Sequence, residues 1–194
     1  MIMSKSNVVL AAIFSWSLLA VTSRAQETNA YAPVPTTKLE ALEANTGTVI
    51  IKGFAPVGSI SVSGEVVSVT CKEDTDIGTG RKEYGIAITI RPNNKFEDRM
   101  IVDYDELDSL INAIDYLSRI DWGVTSLPSF NAAYTTKSGF RISALCNKLT
   151  GKIEVSIRSS RTSKGAPVPP TQLAQFRALI DQAKSKLDSL RAGK

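Results

Sequence analysis

Two stretches of this 194-residue chain alternate apolar, often β-branched residues with polar ones. The first covers residues 48–102 and contains the turn Ser63-Gly64, and the second covers residues 130–160. A period of two places successive side chains on opposite faces of a strand, and short polar turns between such runs favour antiparallel hairpins. Both stretches are therefore predicted to form antiparallel β-meanders with one buried face.

Each alternating stretch is followed by one with helical spacing. Residues 103–120 and 171–191, with approximate ends, place apolar side chains three or four positions apart, which predicts two helices with one apolar face each. The apolar positions are Leu107, Leu110, Ile111, Ile114 and Leu117 in the first helix and Leu173, Phe176, Ile180, Ala183, Leu187 and Leu190 in the second. This order predicts a single α+β domain over residues 48–194, with a mostly antiparallel β-sheet and the central and C-terminal helices packed on one face.

The N-terminus carries the pattern of a secretory signal peptide. After Lys5, an apolar run of fourteen residues from Val8 to Val21 is too short for a comfortable membrane span, and Ser23 and Ala25 occupy the small-residue positions of a cleavage site. We expect cleavage after Ala25 and a secreted mature chain, in the bacterial periplasm or outside the cell. No later stretch is apolar enough to be a membrane span.

Residues 26–47 are expected to form a flexible mature N-terminus that contains one short helix. Two prolines and several polar residues disfavour regular structure in residues 26–36. Thr37 and Glu40 fit a capping box, and "NTG" at 45–47 is a helix stop signal soon afterwards.

Cys71 and Cys146 are the two cysteines of the chain, and both fall in predicted strands. Each shares the phase of the apolar residues around it, so each is expected on the inward face of its strand. Two inward cysteines in a chain bound for an oxidising compartment predict a disulfide between Cys71 and Cys146. Two buried free thiols are the alternative.

Histidine is absent from the chain, which excludes Ser-His-Asp and Cys-His catalysis and any histidine-ligated metal. Two cysteines are too few for a closed structural zinc site, and no glycine pattern matches a phosphate-binding or dinucleotide-binding loop. The sequence therefore predicts no cofactor and no metal, and it favours a non-enzymatic protein.

The predicted central helix is rich in acids: Asp103, Asp105, Glu106, Asp108 and Asp115. A calcium loop that starts at Asp103 would lack the glycine and the final glutamate at the required spacing. The helical interpretation gives Asp103 and Glu106 the two halves of a capping box and places Asp105 in the first turn, at the positive end of the helix dipole. It also pairs Asp115 with Arg119 one turn later. Asp108 alone is left without a structural role.

A basic cluster near the end of the second meander is the candidate anion-binding site: Lys152, Arg158, Arg161 and Lys164. Arg161 and Lys164 lie in a Ser/Gly/Pro-rich linker, for which a solvated segment without a ligand is the alternative. The ligands that suit such a cluster are an acidic polysaccharide, a lipid head group or a nucleic acid. Aromatic residues do not interleave with these basic residues as they would in a base-stacking platform.

The order of elements, a group of strands followed by a helix and then the same again, resembles the β-sheet-plus-helix folds of the Whirly and Pur type. This resemblance implies a surface that binds single-stranded nucleic acid. The charge balance argues against that ligand. Without Lys5 and Arg24 of the signal peptide, 21 of the 23 basic residues remain against 19 acidic ones, a net charge of +2.

The leading hypothesis is a secreted, non-enzymatic binding or structural domain with a protein or glycan partner. One alternative is a carboxylate-dependent hydrolase acting on glycans, which needs two close carboxyl groups in a cleft. The other is an anion or nucleic-acid binder that uses the β-sheet-plus-helix fold, which needs a positively charged surface.

Overall fold

The structure, a computed structural model, describes residues 34–91, 97–159 and 165–193, which belong to one compact unit. The predicted signal peptide with its cleavage site at Ala25 lies outside the described residues, as do Arg161 and Lys164. None of the helices in the described ranges has both the length and the apolar character that a membrane span requires.

Among these residues, eight strands form two antiparallel four-stranded sheets, and in each sheet every strand pairs with the next along the chain. Sheet 1 consists of β1 (Ile50–Val62), β2 (Glu65–Asp76), β3 (Lys82–Arg91) and β4 (Asp98–Asp103). Sheet 2 consists of β5 (Ser129–Thr135), β6 (Arg141–Asn147), β7 (Lys152–Arg158) and β8 (Ala166–Pro167). The predicted α+β class with two antiparallel meanders is confirmed.

The described ranges contain three α-helices beside the sheets: α1 (Lys38–Glu43), α2 (Leu107–Ser118) and α3 (Pro170–Ala192). One 3₁₀ turn precedes α2 (Tyr104–Glu106) and another follows it (Trp122–Val124). The predicted apolar face of α2 is buried throughout, and so are the predicted apolar positions of α3 except Leu190. Each four-stranded meander is thus followed by one long helix.

The two long helices exchange sheets. Helix α3 follows sheet 2 in the chain but packs on β1, β2 and β3 of sheet 1, whereas α2 follows sheet 1 but packs on β5 and β6 of sheet 2. The helices also pack against each other. Phe140, which directly precedes β6, packs on Phe176 of α3 with the ring centroids 5.7 Å apart. One hydrophobic core therefore contains both sheets and both helices. We call the face of each sheet that meets this core its inner face and the opposite face its outer face.

Helix α1 lies on the outer face of sheet 1, where Leu39 packs on Ala87 and Ile101. The predicted capping box of Thr37 and Glu40 is confirmed, with both reciprocal hydrogen bonds present. A helix of 6 residues is too short to be stable by itself, so its packing on the sheet must supply most of its stability.

The start of α2 differs from the predicted capping box. The carboxylate of Asp103 accepts hydrogen bonds from the backbone N–H groups of Lys38 and Leu39 at 2.8 and 3.2 Å, and thus caps α1 instead of its own helix. Glu106 accepts from the backbone N–H of Lys137 at 3.0 Å. The prediction was wrong because free N–H groups of distant segments compete for a capping carboxylate, and sequence spacing reveals only local donors.

The predicted pair of Asp115 and Arg119 is also wrong. The Asp115 carboxylate accepts two hydrogen bonds from Arg177 of α3, at 2.9 and 3.1 Å, while Arg119 donates to the backbone carbonyl of Asp115 at 3.0 Å. Asp108, which had no role in the sequence analysis, lies 3.5 Å from the ammonium nitrogen of Lys184 of α3. The polar face of α2 therefore helps to hold α3, a partner that the spacing within one helix cannot reveal.

The prediction of a disulfide is wrong: Cys71 and Cys146 are both free thiols. Both are buried on inner faces, as their phase predicted, but they belong to different sheets. Cys71 lies against α3, and its thiol donates to the carbonyl oxygen of Ala183 at a distance of 3.5 Å. A shared inward phase places both residues in the core without bringing them together, and a disulfide needs Cα atoms within about 7 Å of each other.

Because both thiols are free and buried, we expect a thiol reagent to react slowly with the native protein and to find two thiols after denaturation without reductant. The same titration after full reduction provides the control and should give the same count. Denatured, unreduced protein with no reactive thiol would contradict the structure.

Candidate anion-binding site

The outer face of sheet 2 is polar and carries more positive than negative charge. Its outward side chains, aligned by the strand register, are Ser129, Asn131, Ala133 and Thr135 of β5, Arg141, Ser143, Leu145 and Asn147 of β6, and Lys152, Glu154, Ser156 and Arg158 of β7. These side chains are exposed or half-buried, and α2 packs on the opposite face. This face is therefore available to solvent or to a polar ligand.

Arg141 and Arg158 lie directly opposite each other on β6 and β7. Residues paired in this way point to the same side of the sheet, with Cβ atoms about 4.5–5.5 Å apart. Within the described ranges neither guanidinium has a carboxylate partner, and the Nε atom of Arg141 is buried without a hydrogen-bond partner. Like charges directly opposite each other destabilise a sheet. Since no carboxylate within the described ranges pairs with either residue, we expect the pair to cost stability.

Ser143 and Ser156 form the next outward pair along the same two strands, with their hydroxyl oxygens 3.3 Å apart. Guanidinium groups are planar, permanently charged donors that match carboxylate, sulfate and phosphate groups, and hydroxyls add further donors and acceptors. We call these four residues, Arg141, Ser143, Ser156 and Arg158, the arginine site. The arginine site offers charged donors that have no anionic partner among the described residues.

The structure brings together only part of the predicted basic cluster. Arg158 belongs to the arginine site, but Lys152 lies at the other end of β7, about 20 Å away along an extended strand. Lys152 forms an ion pair with Glu154. Sequence analysis missed Arg141, because only the register of β6 against β7 places it beside Arg158. The sequence did indicate that Arg141 begins a predicted strand and points away from the core, because it alternates with apolar Ile142.

Sheet 1 provides an internal comparison for the arginine site. Arg91 ends β3 as Arg158 ends β7, and each strand is the third of its sheet. The guanidinium of Arg91 donates to Glu97 at 2.8 Å, and its neighbour across the strand pair is Val66 instead of a second arginine. The positive charge at this position is compensated in sheet 1 and uncompensated in sheet 2.

A cleft of about 390 Å³ near the start of α2 combines acids with aromatic rings, as a glycan hydrolase would require, and is lined by Lys38, Lys82, Glu83, Tyr84, Tyr104, Asp105 and Arg191. Both acids form ion pairs, Glu83 with Arg81 and Asp105 with Lys38. The hydrogen bond from Lys38 lowers the pKa of Asp105. Glycoside hydrolysis needs a carboxyl group that stays protonated until it donates its proton, and cations engage both acids of this cleft.

A carboxyl group with a raised pKa lies beneath α1. Burial raises the pKa of Asp74, which contacts the ammonium group of Lys72. For Glu43, at the end of α1, burial acts in the same direction, but hydrogen bonds to Lys52 and Lys72 outweigh it and lower the pKa to about 2. Asp74 is 0% exposed, so no substrate reaches it in the folded protein. We interpret these residues as the connection that holds α1 on sheet 1.

Comparisons with protein-family models and with curated proteins find no match to this chain. In the described part of the chain, no group of three or more Cys, Asp or Glu residues could hold a metal ion. The arginine site is therefore interpreted from its own geometry and charge.

The repulsion between Arg141 and Arg158 leads to a stability prediction. Replacing Arg158 with glutamine should raise the free energy of unfolding at low ionic strength by up to about 1 kcal/mol, because the like-charge pair is removed. Urea denaturation measures this change, which should shrink as added salt screens the charges.

Arg91→Gln is the matched control, because Arg91 has an acidic partner in Glu97. This substitution removes an exposed ion pair and should leave stability unchanged or slightly lower. A clear loss of stability in Arg158→Gln would show that Arg158 has a structural partner and is not an uncompensated charge.

Proposed function

We propose that this protein is a secreted, non-enzymatic binding module that holds acidic polysaccharides at the arginine site. The observation that carries the proposal is the uncompensated pair of Arg141 and Arg158 on an outer sheet face. Binding and catalytic sites commonly carry side chains that cost the fold stability, because activity and stability can conflict.

The chemistry of the pair favours a compact anionic group between the two strands. Two guanidinium groups side by side can donate several hydrogen bonds to one carboxylate or sulfate, and each charge-assisted hydrogen bond contributes about 1.5–3 kcal/mol. A bound anion would also remove the repulsion between Arg141 and Arg158, so binding should be coupled to a gain in stability.

The surroundings of the pair favour a polysaccharide over a nucleic acid. The outward positions of β5, β6 and β7 carry no aromatic ring, and base stacking is a main source of affinity for single strands. They carry hydroxyl and amide groups instead, with Ser143 and Ser156 beside the arginines and Asn147 farther along the face. Such groups can both donate to and accept from sugar hydroxyls.

Secretion is part of the same proposal and is supported by the apolar run of residues 8–21 and the small residues before Gln26. We expect the mature protein to begin at Gln26 and to be recovered outside the cytoplasm. Intact-mass measurement of protein from the periplasm or the culture medium tests this. An uncleaved chain in the cytoplasm would contradict it.

The binding test uses a short sulfated or carboxylated oligosaccharide, titrated by calorimetry at low ionic strength. The wild type should bind, and Arg141→Gln and Arg158→Gln should each weaken binding about tenfold or more, because each removes a charge-assisted contact. The affinity should fall steeply as salt is added, and this dependence should be flatter in the two variants.

Arg91→Gln again provides the matched control, because it removes one positive charge from an outer face without touching the arginine site. Equal loss of affinity in Arg91→Gln and Arg158→Gln would show that net charge alone attracts the ligand, which would contradict a defined site. Tighter binding of single-stranded DNA than of the acidic oligosaccharide would contradict the choice of ligand.

A further inference from the structure

The free edge of β5 is the least protected of the four sheet edges, which are β1 and β4 in sheet 1 and β5 and β8 in sheet 2. Strand β1 contains Pro56 and a register shift, β4 carries Asp98 and Arg99, and β8 is only 2 residues long. Proline, charge, bulges and short length are the features that keep sheet edges from pairing with other chains. The seven residues of β5, "SFNAAYT", include none of them, and the strand pairs with β6 without a register shift.

An apolar groove of about 340 Å³ runs between β5 and α2. It is lined by Asn112, Ala113, Tyr116, Leu117, Ala132, Ala133 and Tyr134, and the Tyr116 side chain is 55% exposed. An uncharged strand edge beside an apolar groove is the combination that accepts an added strand, because backbone hydrogen bonds and apolar burial are available together.

We propose that β5 pairs antiparallel with β5 of a second copy of this chain. The strand is self-complementary about Ala132, which would lie on the twofold axis. In that register Phe130 lies opposite the partner's Tyr134 on the inner face, while Asn131 lies opposite the partner's Ala133 on the outer face. Aromatic residues thus meet beside the apolar groove, small polar residues meet on the wet face, and no like charges face each other.

This pairing joins two copies of sheet 2 into one continuous sheet with a shared outer face. Each arginine site lies on the second and third strands from the axis, so three strand spacings and six residues along the strands separate Arg141 from the partner's Arg141, about 25 Å. A short oligosaccharide can occupy one site, whereas a long acidic polysaccharide can occupy both. This consequence rests on the proposed function, but the pairing of β5 does not.

Sedimentation velocity tests the pairing on the mature protein. We expect a dimer for the wild type and a monomer for Asn131→Lys/Ala133→Lys, because this double substitution places lysine opposite lysine twice across the axis. Both positions are exposed, so circular dichroism should show an unchanged fold. Asn131→Lys/Ala133→Glu should restore the dimer, because opposite charges then face each other at the same two positions.

Three results would overturn the pairing. The first is a wild type that stays monomeric at every concentration up to about 100 μM, because this would exclude a dimer with a dissociation constant below that concentration. A dimer that persists in Asn131→Lys/Ala133→Lys would show that another surface joins the copies. An Asn131→Lys/Ala133→Glu protein that is fully folded but stays monomeric would contradict the register about Ala132.

Oligosaccharide length separates this inference from the proposed function. The wild type should bind a long sulfated polysaccharide at least about 100-fold more tightly than a short one, and Asn131→Lys/Ala133→Lys should lose this advantage although it adds positive charge to the face. A dimer that does not bind the short ligand would contradict the proposed function and leave the pairing intact. A monomer that binds it through Arg141 and Arg158 would contradict the pairing and leave the proposed function intact.

Discussion

The packing of α3 on the inner face of sheet 1 is the interaction on which the rest of the structure depends. Phe176, Ile180, Ala183 and Leu187 are fully buried there, and each large apolar side chain contributes about 1.5–3 kcal/mol when it leaves water. Since α3 follows sheet 2 in the chain, sheet 1 cannot bury its inner face until sheet 2 and α3 have been added. The exchange of helices between the sheets therefore makes the two halves one cooperative unit, and Arg177 strengthens it by joining α3 to α2.

Because this packing buries the inner faces, residues on the outer face of sheet 2 contribute little to the core and can include ones that do not favour stability. The core lies on the inner faces, so Arg141 and Arg158 can stand side by side on the outer face at a modest cost. The corresponding position in sheet 1 shows the ordinary arrangement, because Arg91 has Glu97 as its partner. This contrast between two sheets of one chain is the observation that supports the proposed binding surface.

Features that depend on local sequence were predictable, and features that depend on distant neighbours were not. The phase of apolar residues predicted both meanders, the buried faces of the two long helices and the burial of both cysteines. The capping box of Thr37 and Glu40 was predictable because all of its hydrogen bonds join residues within one helical turn. Asp103 caps α1 across the sheet, and Arg141 meets Arg158 only through the register of two strands. Neither partner can be identified from sequence spacing, because each is determined by tertiary packing.

The most direct measurement of anion binding follows the Nε–H groups of the arginine side chains by ¹⁵N NMR during titration with an acidic oligosaccharide. The signals of Arg141 and Arg158 should shift together and saturate with one affinity, because both side chains belong to the arginine site. The signal of Arg91, which already donates to Glu97, should stay in place. Unchanged signals for Arg141 and Arg158, or equal shifts in Arg91, would contradict an anion-binding site on this face.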